Sequence, residues 1–127
     1  MTNSASDPIH LIDTTNLAQA LEKFATDRNW SQFHSPKNLI MALTGEVGEL
    51  SEIFQWMSEA DSMKAGQHPA TAQDVKDELA DVLLYLVHLA SVLNVDLNEA
   101  VTQKIKANEQ KYPVAYSLGV STKYNKK

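Results

Sequence analysis

The sequence predicts an all-α protein, a bundle of four main helices, and three observations support this prediction. Apolar residues recur at helical spacing in four segments, and helix-capping residues mark where several of these segments begin. No segment shows the sustained alternation of apolar and polar residues that is typical of a strand. With 127 residues, 43% of them hydrophobic, the chain suits one domain with a compact core.

Each helix is predicted from its own apolar stripe and end signals. The helices are expected over about residues 14–28, 35–58, 71–93 and 96–112, with loops over 29–34 and 59–70. Ser35 followed by Pro36 is a typical helix start, and both Thr71 and Asp96 are followed three residues later by an acidic residue, as in a capping box. The third helix is apolar nearly all round, which predicts burial, in part against a partner subunit.

Composition and charge exclude several classes of function. The net charge is -5, which makes sequence-independent nucleic-acid binding a poor candidate. No apolar run approaches the ~20 residues of a membrane span, and the absence of cysteine fits a cytoplasmic protein without disulfides. Residues 1–13 and 114–127 are expected to be a flexible leader and a flexible tail around a domain at 14–113.

Four carboxylates interrupt the helical pattern as two pairs. Glu46 and Glu49 lie three residues apart on the second helix, and Glu78 and Asp81 lie three residues apart on the third. Residues at this spacing project from one face, with Cβ atoms about 5–6 Å apart, and an antiparallel hairpin would bring the two pairs together. The alternative interpretation is that these residues are ordinary charges on solvent-facing helix surfaces. Two pairs, one intruding on an apolar stripe, instead favour a cation site of the all-oxygen kind that Mg²⁺ or Mn²⁺ occupies.

The fourth helix carries polar residues on its apolar side. Lys104, Asn108 and Lys111 lie close to the face of Leu97 and Val101. They either cover the edge of the core with their aliphatic stems or reach phosphate oxygens opposite the metal. The pattern leaves both interpretations open.

Aromatic residues flank the carboxylate pairs. Trp30 lies in the loop before the second helix, and Trp56 lies near the end of that helix. Two such side chains are able to clamp a flat base by stacking, although tryptophans more often serve as packing. His34 either hydrogen-bonds within its loop or contacts substrate.

These motifs together resemble a known family. Glu46-Val-Gly-Glu49, Glu78-Leu-Ala-Asp81 and Lys104…Asn108…Lys111-Tyr-Pro113 resemble the MazG-like superfamily of all-α nucleotide pyrophosphohydrolases. The runs at residues 30–39 and 45–56, which contain the two tryptophans, look like the dCTP pyrophosphatase branch. The resemblance covers about residues 14–113.

The resemblance implies roles for particular residues. The implied Mg²⁺ ligands are Glu46, Glu49, Glu78 and Asp81. Trp30 and Trp56 would hold the pyrimidine, with His34 and Tyr85 nearby, and the protein would be a homo-oligomer, typically a tetramer. One departure is Leu21, which stands where members of the branch can carry a histidine that faces the base.

The predicted function is therefore Mg²⁺-dependent hydrolysis of a deoxynucleoside triphosphate, dCTP or a modified dCTP, to the monophosphate and pyrophosphate. Such a reaction would clean the nucleotide pool. Glu49 is the expected general base, and Lys104 and Lys111 would steady phosphate oxygens. A di-iron carboxylate bundle is disfavoured because no Glu-x-x-His motif occurs. The alternative that stays open is a non-catalytic helical module that binds a protein partner through its apolar third helix.

Overall fold

A computed structural model describes residues 9–121, and every regular element within that range is helical. The elements are α1 (Thr15–Asp27), a 3₁₀ turn (Ser31–Phe33), α2 (Pro36–Phe54), α3 (Glu59–Ser62), α4 (Ala72–Val92), α5 (Leu97–Lys111) and α6 (Val114–Ser117). Four of these helices, α1, α2, α4 and α5, are 13 to 21 residues long and coincide with the four predicted segments. The all-α prediction is confirmed.

The boundaries differ from the prediction at two places. Helix α2 ends at Phe54 instead of continuing to residue 58, and the predicted loop that follows contains α3. Ser58 begins α3, because its Oγ accepts the backbone N–H of Asp61 at 3.1 Å. A further helical turn, α6, lies within the predicted tail, whose residues 122–127 fall outside the described residues, as do residues 1–8 of the predicted leader.

Side-chain caps explain where two of the long helices begin. Ser35 Oγ accepts the N–H of the residue three positions later at 3.2 Å, and Asp96 Oδ1 does the same at 3.0 Å. Both predicted caps are confirmed. Thr71 is the N-cap residue of α4, as predicted, but the predicted side-chain cap is wrong. Its hydroxyl donates to the carbonyl of Ala65 at 2.7 Å and does not accept an N–H of α4.

Helix α1 ends in a Schellman motif that fixes the start of the next segment. Asn29 has a left-handed backbone conformation with φ of 54°, which asparagine tolerates better than most residues. The N–H of Trp30 donates to the carbonyl of Ala25 at 2.8 Å, and the N–H of Asn29 donates three residues back at 3.0 Å. Helix α4 ends in the same way at Asn94, with φ of 56°.

Contacts group the described residues into two compact units. The larger unit comprises residues 14–95, in which α2 and α1 each pack against α4. The smaller unit joins residues 9–13 to residues 96–121. Within it, Asn98 Oδ1 accepts the backbone N–H of Leu11 at 2.7 Å, so the segment before α1 is tied to the first turn of α5.

The fully buried apolar core is small for the described length. Its members are Ala25, Leu39, Ala65, Val75, Val87 and Ala90. Helix α4 contributes three of these residues, yet several of its leucines stay more than 40% exposed. No single helix within residues 9–121 is both long and apolar enough to cross a membrane, although α4 and α5 meet the length and composition criteria when taken together.

Candidate functional site

Three of the predicted metal ligands converge where α2 packs against α4. Ligand oxygens of Glu46, Glu49 and Glu78 all lie within 4.8 Å of one another. The i, i+3 spacing on α2 places both of its glutamates on the side facing α4, and Glu78 meets them from the other helix. The structure thus brings together three carboxylates that are up to 32 positions apart in the chain, from 46 to 78.

The carboxylates strongly perturb one another. The pKa of Glu46 is raised from 4.5 to about 7, first by its hydrogen bond with the Glu78 carboxyl group and then by burial and by Glu49. The hydrogen bond with Glu46 lowers the pKa of Glu78, but burial and the negative charges of Glu49 and Asp81 outweigh it and leave that pKa raised. As the pH falls towards neutral, and without a cation, the pair formed by Glu46 and Glu78 therefore favours one bound proton over two negative charges.

The cluster has unused ligand capacity. Oε2 of Glu46 and Oε2 of Glu78 are buried and have no hydrogen-bond partner among the described residues. Buried polar atoms normally have partners, and a set of carboxylate oxygens is the donor set that hard divalent cations prefer. These residues therefore fit a bound metal ion, which would satisfy both oxygens and offset the repulsion.

An aromatic pocket adjoins the carboxylates in the same unit. It has a cavity volume of about 160 Å³, and its lining residues are Leu21, Phe24, Ala25, Trp30, His34, Asp81, Leu84, Tyr85 and His88. The rings of Phe24 and Trp30 meet edge to face at 5.8 Å between centroids. Because Asp81 lines the pocket and also acts electrostatically on Glu46 and Glu78, the pocket and the carboxylate cluster share a border.

Comparison with known proteins identifies the family of this chain. The model of the MazG-like family matches residues 42–126. The chain belongs to the MazG-like family.

Among curated relatives of this MazG-like chain are dCTP pyrophosphatase 1 of Rattus norvegicus, 49% identical over 102 residues, and that of Homo sapiens, 45% identical over 102 residues. Each alignment covers 80% of this chain and 60% of the relative, so the chain matches about three fifths of their length. A crystal structure of a pyrophosphatase from Archaeoglobus fulgidus is 37% identical, with a TM-score of 0.73, and the match covers 85% of this chain and 99% of that chain.

The predicted substrate-binding residues of this MazG-like chain fall into three groups. Trp30, His34 and Tyr85 line the aromatic pocket, as does Leu21. Trp56 lies just after α2 with its side chain 90% exposed and does not line that pocket. The third group lies on α5, in the smaller unit, and consists of Lys104, Asn108 and Lys111. The roles of all three groups stay predictions.

Sequence reasoning missed two features of the site. His88 lines the pocket and was not predicted as a site residue, although it lies three residues beyond Tyr85 on the same helix face. Asp74 joins Glu49, Glu52 and Glu78 around an outer acidic hollow, one turn before Glu78. A helical wheel signals both positions, but it does not show which residues of other elements face them.

Proposed function

We propose that this chain hydrolyses a deoxynucleoside triphosphate, dCTP or a modified dCTP, to the monophosphate and pyrophosphate with the help of Mg²⁺. The observation that carries the proposal is the carboxylate cluster, whose unpartnered buried oxygens lie beside an aromatic pocket. A divalent cation next to a pocket that suits a flat ring matches the two ends of a nucleotide. The relatives described above are dCTP pyrophosphatases, which supports the same choice of substrate.

In the proposed site the metal ligands are Glu46, Glu49, Glu78 and Asp81. Mg²⁺ bound there supplies positive charge that neutralises the triphosphate in the transition state, and Mn²⁺ suits the same oxygen ligands. Glu46 and Glu78 give up their shared proton when they act as ligands, since a carboxyl group binds metal in its ionised form. A proton relieves the repulsion between these carboxylates when no cation is bound, and a bound cation would take over that role.

Glu49 is the proposed general base. Its side chain is exposed, so water has access to its carboxylate. As the water oxygen bonds to the α-phosphorus, Glu49 takes the proton, and the bond from that phosphorus to the bridging oxygen breaks, so pyrophosphate leaves. Lys104, Asn108 and Lys111 are proposed to hold phosphate oxygens, where positive charge and N–H donors stabilise the developing negative charge.

The aromatic pocket is the proposed base site. Trp30 and Tyr85 present ring faces and edges that stack on a pyrimidine, and His34 lies beside them. Trp56 is exposed and is proposed to complete the contact with the base. Leu21 lines the pocket with an aliphatic side chain that cannot hydrogen-bond the base. Recognition of the base therefore depends on the polar residues of the pocket wall.

We further propose a homo-oligomer, a tetramer, built on the apolar faces of α2 and α4. The side chains concerned are more than 40% exposed and include Ile40, Met41, Val47, Leu79, Leu83 and Leu86. Exposed apolar patches of this kind mark interaction surfaces, and the small buried core leaves the single chain with little hydrophobic stabilisation. Light scattering after size-exclusion chromatography should give the mass of four chains, and a monomer at micromolar concentration would contradict this assembly.

The decisive experiment measures monophosphate and pyrophosphate release from a panel of deoxynucleoside and ribonucleoside triphosphates, with Mg²⁺ and with EDTA. We expect dCMP and pyrophosphate from dCTP, no release with EDTA, and none from Glu46→Ala, whereas Glu109→Ala on α5 serves as the active control. Hydrolysis by Glu46→Ala would refute the metal assignment. No release from any nucleotide would favour the non-catalytic interaction module, for which the exposed apolar face of α4 is the specific observation. A cytoplasmic location and the lack of a nucleic-acid partner stay predictions.

A further inference from the structure

Two histidines form part of the wall of the aromatic pocket. His34 follows the 3₁₀ turn and His88 lies on α4, and their rings meet edge to face with centroids 4.5 Å apart. The same two residues also line a second, outer hollow together with Glu22, Ser31, Ser91 and Asn94. The imidazole pair therefore separates an aromatic pocket from a polar hollow.

One ring nitrogen of the pair has hydrogen-bonding capacity that the described residues do not use. Nδ1 of His34 is buried and has no hydrogen-bond partner among the described residues, which is costly unless a ligand or water supplies one. Burial, and then the charge of His34, lower the pKa of His88, while Glu22 opposes this shift. At neutral pH His88 is thus uncharged, with one ring nitrogen as donor and the other as acceptor.

The rest of the pocket offers little that distinguishes one base from another. Leu21, Phe24, Trp30 and Leu84 contribute apolar or aromatic surface, and stacking on such surface tolerates every base because each base has a π-face. Asp81 faces the pocket but belongs to the proposed metal ligands. A selective hydrogen bond to the edge of the base has to come from Tyr85, His34 or His88. Of these three, the two histidines also line the outer hollow, where Glu22 lies.

We propose that His88, beside His34, hydrogen-bonds the polar edge of the base and sets the base selectivity of the reaction proposed above, on which this inference rests. Glu22 lines the outer hollow next to both histidines, and its negative charge favours the His88 N–H on that side. The other ring nitrogen then accepts a hydrogen bond within the pocket. This arrangement suits a base with an exocyclic amino group, such as cytosine, and disfavours one with a carbonyl there, such as thymine.

The test compares kcat/KM for dCTP and dTTP in the full chain and its variants. His88→Leu and His88→Phe remove both ring nitrogens, and Phe keeps a ring of similar shape. Each should lower the preference for dCTP over dTTP about tenfold, as expected when a site loses one selective hydrogen bond. The loss should appear in KM more than in kcat, because the carboxylate cluster is unchanged. His88→Asn, which keeps a donor and an acceptor, should retain most of the preference.

Two control variants separate this role from a general effect. Ser91→Ala changes α4 one turn further on, at a residue that lines the outer hollow and not the aromatic pocket. His10→Leu removes an exposed histidine outside the larger unit. Both should keep the wild-type ratio of the two kcat/KM values.

Calorimetric binding of dCMP and dTMP in EDTA reports base selectivity without hydrolysis, so the two proposals fail separately. If the wild-type chain hydrolyses no nucleotide, the proposed activity is refuted. If that chain still binds dCMP more tightly than dTMP, and His88→Leu and His88→Phe abolish this preference, the inference is supported. Either variant, folded by circular dichroism, with an unchanged preference in both assays would overturn the inference while hydrolysis stands. A wild-type chain with no preference between the two bases would also overturn it.

Discussion

Replacing Glu46 by glutamine should stabilise the metal-free protein at alkaline pH. Glu46 has a pKa of about 7 in the folded protein against 4.5 for the ordinary side chain. Because the pKa is raised in the folded state, this group's favourable contribution to the free energy of unfolding is complete below pH 4.5. That contribution is lost as the pH rises through about 7. Glutamine imitates the protonated form and cannot ionise, so the repulsion within the cluster does not develop.

The size of this effect follows from the pKa and the exposure of the group. A rise from 4.5 to about 7 would correspond to about 3 kcal/mol in a fully buried site. Glu46 is only half-buried, so solvent screening reduces the expected gain at pH 8 to about 1–2 kcal/mol. For a chain of this length that gain raises the melting temperature by about 4–7 °C.

Thermal unfolding followed by circular dichroism at pH 5 and pH 8, with EDTA or with Mg²⁺, tests this reasoning. In EDTA, the melting temperature of Glu46→Gln should be clearly higher than that of the wild type at pH 8. At pH 5 the difference in melting temperature should be much smaller. Mg²⁺ should stabilise the wild type at pH 8 and stabilise the variant less, because one ligand has lost its charge. Glu109→Gln on α5 is the matched control and should behave as the wild type. An equal melting temperature of variant and wild type in EDTA at pH 8, together with an undiminished response to Mg²⁺, would refute the shared-proton interpretation.

Three further predictions concern the core, the base pocket and the metal. Leu39→Ala removes a side chain that is 1% exposed and should lower the free energy of unfolding by about 2–5 kcal/mol in urea titrations; a loss below 1 kcal/mol would contradict its place in the core. Trp30→Leu should raise KM for dCTP about tenfold with little change in kcat, and an unchanged KM would exclude stacking by Trp30. The apparent Mg²⁺ affinity measured by calorimetry should rise between pH 6 and pH 8, since binding displaces the proton held by Glu46, and a flat profile would contradict that exchange.

The carboxylate cluster could be predicted from the sequence because its geometry is mostly local. The spacing of Glu46 and Glu49 puts both on one helix face, and the short connection to the helix of Glu78 favours an antiparallel pair. The structure confirms that these three side chains converge. Asp81 follows from the same spacing and is found at the border of the aromatic pocket.

Features that depend on distant neighbours could not be predicted. In the sequence, His88 is a single histidine within a largely apolar helix. Its role at the pocket becomes visible only in the structure, where the ring of His34, which follows the 3₁₀ turn, contacts the ring of His88. The sequence around Thr71 predicts a side-chain cap, but in the structure the Thr71 hydroxyl donates its hydrogen bond to the carbonyl of Ala65. Helix α3 is a single turn, too short to show any apolar period, and Ser58 is its main signal.

The Schellman motif after α1 also has a kinetic consequence. Trp30 is placed by hydrogen bonds to residues no more than five positions earlier, and its ring meets Phe24 within the same stretch. Contacts between residues so close in the chain form within microseconds, before distant helices meet. In the folded protein the same contacts already place Trp30 at the pocket before a ligand arrives. Less side-chain entropy is then lost when a base docks there than if the ligand had to order Trp30.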